Sequence, residues 1–184
     1  MGHSQAEKAR NRERILAAAA RQIRENGLES VSVAGLMQAV DLTHGGFYNH
    51  FASRDDLLRQ ALARALDDGA GHAAGTGQDD PVRSFEAFVN GYLSRSHRDH
   101  PESGCAVAAL ACDVGRGRNG LRELMSGRIE SMVRTAREAL GDEEAALLAV
   151  SALVGALTLS RVSTDPARSD AILRAVRRRL RDLV

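Results

Sequence analysis

Between Leu42 and Ala52 the chain sets Thr43, His44, Tyr48, Asn49 and His50 around an adjacent glycine pair, Gly45 and Gly46. Hydroxyls, imidazoles and a carboxamide are short hydrogen-bond donors and acceptors. Glycines offer their backbone amides without side-chain bulk, so the set suits phosphate oxygens and the edges of nucleic-acid bases. The same stretch holds Phe47, Tyr48 and Phe51, in a chain with four phenylalanines, two tyrosines and no tryptophan. Phe47 and Phe51 are expected to anchor the segment to a core, with the polar groups outside. The plainer alternative is a small helical bundle with a glycine-rich bend.

Cys105 is a second chemical candidate. In HPESGCAVAALACDVG, Ser103 or Gly104 reads as the cap of a helix whose first turn contains Cys105. Partial positive charge there favours a thiolate, with Arg98 adding to it and Asp99 and Glu102 opposing it. The alternative is a small buried hydrophobe, which free cysteine usually is. Cys112 lies two turns on, ~10 Å by helical rise, so no disulfide forms within that helix. On its apolar stretch Cys112 is expected to be the slower thiol. His97, His100 and Cys105 match no zinc spacing, and no metal site is expected. GRGRNG, residues 115–120, spells G-x-G-x-x-G but follows a helix instead of a strand, so dinucleotide binding is rejected. No Walker loop, nucleophile elbow or metalloprotease motif occurs. The sequence therefore points away from an enzyme and calls for no cofactor.

The elements that must position these residues are helices. Apolar spacing is helical nearly throughout and alternating strand patterns are absent, which predicts an all-α fold of about nine helices. In ERILAAAARQIRENGL, Ile15, Leu16, Ala19 and Ile23 share one face, with Arg14, Arg21 and Arg24 away from it. Gly27 reads as the left-handed residue ending that helix. Ser32 reads as the N-cap of a short helix to about Val40, and Asp41 as the turn. Thr43 caps a third helix through His50, and Ser53 to Asp56 resembles a capping box opening a fourth. Four glycines in residues 67–81 mark a linker. Further helices are expected from Pro81, over about 104–114, 121–140, 143–162 and 166–183, with SHRDHPES a loop.

Composition adds limits. The chain has 184 residues, 43% hydrophobic and 27% charged, with formal net charge +1. That is ordinary globular composition. No stretch reaches the ~18 uninterrupted apolar residues of a membrane helix, and the first residues carry no secretory h-region. A cytoplasmic protein without membrane contact is expected. Lys8, Arg10, Arg12 and Arg14 form a locally basic arm, open to reading as phosphate contact or as a solvated helix face.

Ser32-Val33, then Leu36 to Leu42, Thr43 to Phe51 and Arg54-Asp55-Asp56-Leu57 together resemble the DNA-binding signature of the TetR family of transcriptional regulators. The resemblance spans about residues 10–60, with order and spacing both matching. It implies a helix-turn-helix domain over residues 1–54 and a ligand-binding and dimerisation domain over residues 55–184. It implies a homodimer on double-stranded DNA and a small-molecule effector, most simply a repressor released from a palindromic operator by its inducer. The DNA contacts carried over are Ser32, Thr43, His44, Gly45, Gly46, Tyr48, Asn49, His50 and Arg54. One departure is Asp41, where the family commonly has glycine. A ligand pocket is expected from Phe88, Tyr92, Cys105, Leu110, Met125 and Met132. The small-residue helix EEAALLAVSALVGALTLSRV and the stripe Leu173, Val176, Leu180 and Val184 suit a dimer interface, or else a buried central helix. A helical enzyme or a non-specific DNA binder on the same scaffold are the alternatives. Near-neutral charge opposes the latter.

Overall fold

A computed structural model describes residues 5–71, 81–117 and 120–183. Among these residues all regular structure is helical, as the periodicity predicts. The α-helices are α1 (Gln5–Asn26), α2 (Val33–Ala39), α3 (Arg54–Gly71), α4 (Pro81–Tyr92), α5 (Arg95–Asp99), α6 (Ala106–Arg116), α7 (Arg122–Leu140), α8 (Glu143–Val162) and α9 (Pro166–Arg181).

The caps explain most boundaries. Ser32 accepts the Gly35 N–H at 3.1 Å, as its reading as an N-cap requires. The Ser53 hydroxyl accepts the Asp56 N–H at 3.0 Å, while the Asp56 carboxylate reaches back to the Ala52 N–H at 3.2 Å. Gly141, at φ 72, ends α7, and Asp142 caps α8 through the Ala145 N–H. Gly27 also has positive φ, 83, but its ψ of 168 is extended, not left-handed helical. Its missing side chain makes room for Asp113, whose Oδ2 would lie 2.8 Å from a Cβ there and accepts the Leu28 N–H at 3.2 Å.

Four expectations need correction. The segment His44–Asn49 is a 3₁₀ helix, not an α-helix, because two glycines in six residues cannot sustain regular α geometry cheaply. The stretch expected as a loop, residues 96–103, is largely helical: α5, capped by Ser94, runs into it and a 3₁₀ turn Pro101–Ser103 follows. Helix α3 continues into the expected linker as far as Gly71. Packing carries it there: Gly69 brings its backbone against Cys105 and Gly104, which would lie 3.6 Å from a Cβ. The rest of that linker, with Gly75 and Gly77, and Arg118 and Asn119 of the 115–120 loop lie outside the described residues. Arg24 does not face solvent. It is buried, donating to the Glu102 and Ala65 carbonyls and pairing with Asp68 at 3.3 Å.

The core runs unbroken from one end of the molecule to the other. Helix α1 packs on α3, α7 on α8, and α8 on α9, while α6 touches α1 and α3 on one side and α7 and α8 on the other. Helix α8 is long and apolar enough to cross a membrane by length and composition, and its 39% burial within this fold is that of a helix buried on one side only.

Candidate nucleic-acid interface

The turn before the 3₁₀ segment is built by the end of α2. The Leu42 N–H donates to the Met37 carbonyl at 2.9 Å and the Asp41 N–H to that of Gln38 at 3.1 Å. That pair of bonds is a Schellman motif, which needs a left-handed residue between them. Asp41 supplies it at φ 57, the only non-glycine with positive φ among the described residues. Its carboxylate sits 3.9 Å from Arg14, whose guanidinium also donates to the Val40 carbonyl at 2.8 Å.

The 3₁₀ segment then divides its side chains as expected. Phe47 and Phe51 are buried and stacked, ring centroids 5.5 Å apart. Tyr48 stands edge-on to Phe47 and is 65% exposed. Thr43, His44, Gly45 and Asn49 are exposed, and Gly46 and His50 half-buried. A Cβ at Gly45 would meet nothing within 4 Å, so its backbone lies open to an approaching surface. Thr43 stands at the N-cap position with its side chain unused by the cap, leaving its hydroxyl available. Ser32 uses its oxygen as an acceptor in the cap, and its O–H can still donate outward.

Two of the expected basic contacts do other work. Arg54 donates to the Val31 carbonyl at 2.9 Å and the Leu28 carbonyl at 3.2 Å, and pairs with Glu29. It ties the start of α3 to the turn before α2. Arg12 bonds to Gln60 and lies over the Phe51 ring at 5.4 Å. Arg12 and Arg14 thus tie α1 to α3 and to the turn after α2, while Lys8 and Arg10 remain exposed.

The expected ligand residues gather inside the C-terminal helices. Tyr92, Cys105, Leu110, Met125 and Met132 are buried and Phe88 is half-buried, its ring 5.4 Å from that of Tyr92. The Tyr92 hydroxyl is buried, with the Cys105 thiol as its polar neighbour. Burial pushes its pKa well up, and the neighbouring Cys105 thiol adds to the shift. Cys105 is the N-cap of α6, not a first-turn residue, and is 7% exposed. Its N–H donates to His97 Nε2 at 2.8 Å, while His97 Nδ1 meets the Tyr92 carbonyl at 2.7 Å. The exposed thiol is Cys112 and the buried one Cys105, as the small-hydrophobe alternative for Cys105 has it, so Cys112 is not placed to be the slower thiol. The position of Cys112 on the outward face of α6 was not legible from the local apolar run.

A polar cleft that the sequence pattern did not suggest lies elsewhere, lined by Arg24, Arg98 and Arg161 among others and by none of the six expected ligand residues. Its signal was one charged residue, Arg161, near the end of an apolar helix.

Residues 15–61 match the family model described as bacterial regulatory proteins, tetR family. The chain is 26% identical to an uncharacterized HTH-type transcriptional regulator of Mycobacterium tuberculosis, over 90% of this chain and 92% of that protein. In structure it resembles a TetR transcriptional regulator from Chloroflexus aurantiacus at TM-score 0.84 and 22% identity, covering 97% of this chain and 96% of the other. It also resembles reduced NemR of E. coli at TM-score 0.78 and 17% identity, covering 94% and 96%. The resemblance to TetR-type regulators thus extends from the helix-turn-helix to the fold of the whole chain.

Proposed function

We propose that the protein is a homodimeric transcriptional repressor of the TetR type, released from a palindromic operator by a small-molecule inducer. The observation that carries this is the 3₁₀ segment: buried Phe47 and Phe51 fix it, and Thr43, His44, Gly45, Tyr48 and Asn49 face out together. Ser32, Gly46 and His50 complete the DNA-contacting set, and Arg54 serves by holding the turn rather than by leaving it. Residues 1–54 act as the DNA-binding domain and residues 55–184 as the dimerisation and effector domain, with α3 running on from the boundary.

The dimer reading rests on α8. Leu148, Ser151, Leu159 and Val162 form an exposed stripe, with Leu148 at 60% and Val162 at 70% exposure. Gly155 lies in the same stripe with open space above it. Large exposed apolar side chains in one row are what a second copy would cover. The inducer reading rests on the core around Tyr92, whose buried hydroxyl has at most a weak partner in the Cys105 thiol and would gain from a bound molecule with an acceptor. Its binding would favour dimers whose recognition segments are wrongly spaced for DNA. A cytoplasmic place beside the genome follows from the same reading. Selection of bound sites from random duplexes with the purified full chain tests the proposal. A recovered palindromic site supports it, and a pool that shows no enriched sequence after repeated rounds counts against it.

A further inference from the structure

Near the end of α8 stands a cation that no carboxylate pairs directly among the described residues, Glu102 acting on it only through space. Arg161 is half-buried; its Nε donates to the Arg98 carbonyl at 3.1 Å and its Nη2 to that of His97 at 2.8 Å. It forms no ion pair among the described residues, and burial pulls its pKa below the ordinary guanidinium value. A guanidinium has five N–H donors, so donors remain. A half-desolvated cation of this kind gains from an anion that completes its hydrogen bonds.

Arg161 opens on the polar cleft, about 570 Å³ in volume. Its lining includes the end of α1, with Arg24 and Glu25, and α8, with Thr158 and Arg161. The other two arginines are already engaged. Arg24 is held by Asp68, and Arg98 by Asp99, by Asp170 at 2.9 Å and by the Ser169 hydroxyl at 2.9 Å. Glu25 and Asp99 on the rim make a second negative charge on the occupant unfavourable. Ala108 and Ala109 of α6 add apolar surface to the lining.

We propose that this cleft binds a small organic monocarboxylate, its carboxylate forked on Arg161 and its apolar body against Ala108 and Ala109. None of the six expected ligand residues lines the cleft, although Arg161 feels the nearby Tyr92 and Cys105, and the site does not depend on the DNA-binding reading. The test is calorimetric titration of the full chain, at constant ionic strength, with benzoate, phenylacetate and octanoate, each compared with its amide. At least one acid should bind saturably and at least roughly tenfold more tightly than its amide. Binding should be lost in Arg161→Gln and in Ala109→Glu, which places a carboxylate in the cleft. Ala109→Glu leaves the bonds from Arg161 to α5 in place, so it carries the test if Arg161→Gln does not fold. Equal binding of acid and amide, undiminished binding by either folded variant, or no saturable binding of any of the three acids would overturn the proposal. No DNA enters the assay, so its outcome is independent of operator binding.

Discussion

Tyr48 and Asp41 bring the account down to single side chains. Tyr48 is an exposed aromatic whose ring rests on a buried phenylalanine, so truncating it removes an outward hydroxyl and little of the core. Tyr48→Ala should weaken operator binding by roughly tenfold to a hundredfold, the value of a hydrogen bond to a charged group. Circular dichroism and melting should be unchanged. Undiminished affinity in a gel-shift titration at fixed salt would remove the segment from the interface. Asp41 holds a left-handed conformation that glycine adopts freely, and it places a carboxylate beside the proposed phosphate contacts. Asp41→Gly should therefore stabilise the fold by about 1 kcal/mol or less and strengthen DNA binding. A destabilised variant with weaker binding would show that the Arg14–Asp41 pair outweighs the backbone strain. The exposure of Tyr48 and the turn at Asp41 were legible in residue type and order. Arg54 was not, because nothing in the local sequence tells a guanidinium to turn back to carbonyls 23 and 26 residues earlier.

Helix boundaries were legible where a side chain or a glycine sets them locally, as at Ser32, Ser53 and Gly141. They were misread where tertiary packing decides, as at Gly69, which continues α3 against the start of α6 despite its poor helix propensity. Helix α5 was missed because five residues are too short to show a period. The joint between α6 and the helix-turn-helix is another contact invisible in sequence. Asp113 satisfies the Leu28 N–H across 85 positions and is itself paired with Arg116 at 2.7 Å. Asp113→Ala leaves that partly buried N–H without its acceptor, and should cost roughly 1–2 kcal/mol in chemical denaturation. A loss indistinguishable from zero would mean that water replaces the carboxylate and that α6 is not fastened there.

The whole molecule is read as two copies joined along α8 and two recognition segments held at one spacing. Gly155 lies in the exposed stripe, where an added side chain meets no atom of its own chain. Gly155→Arg should leave the protomer folded and shift it from dimer to monomer in sedimentation equilibrium; a variant that stays dimeric would place the interface elsewhere. On the proposed function, this chain recognises a specific duplex as a dimer. The most direct test of this is a fluorescence-anisotropy titration of the full chain on the selected palindrome and on a scrambled duplex of equal length and salt. Two chains should bind the palindrome at least ~10³-fold more tightly than the scrambled duplex. Equal affinity for both duplexes would contradict it.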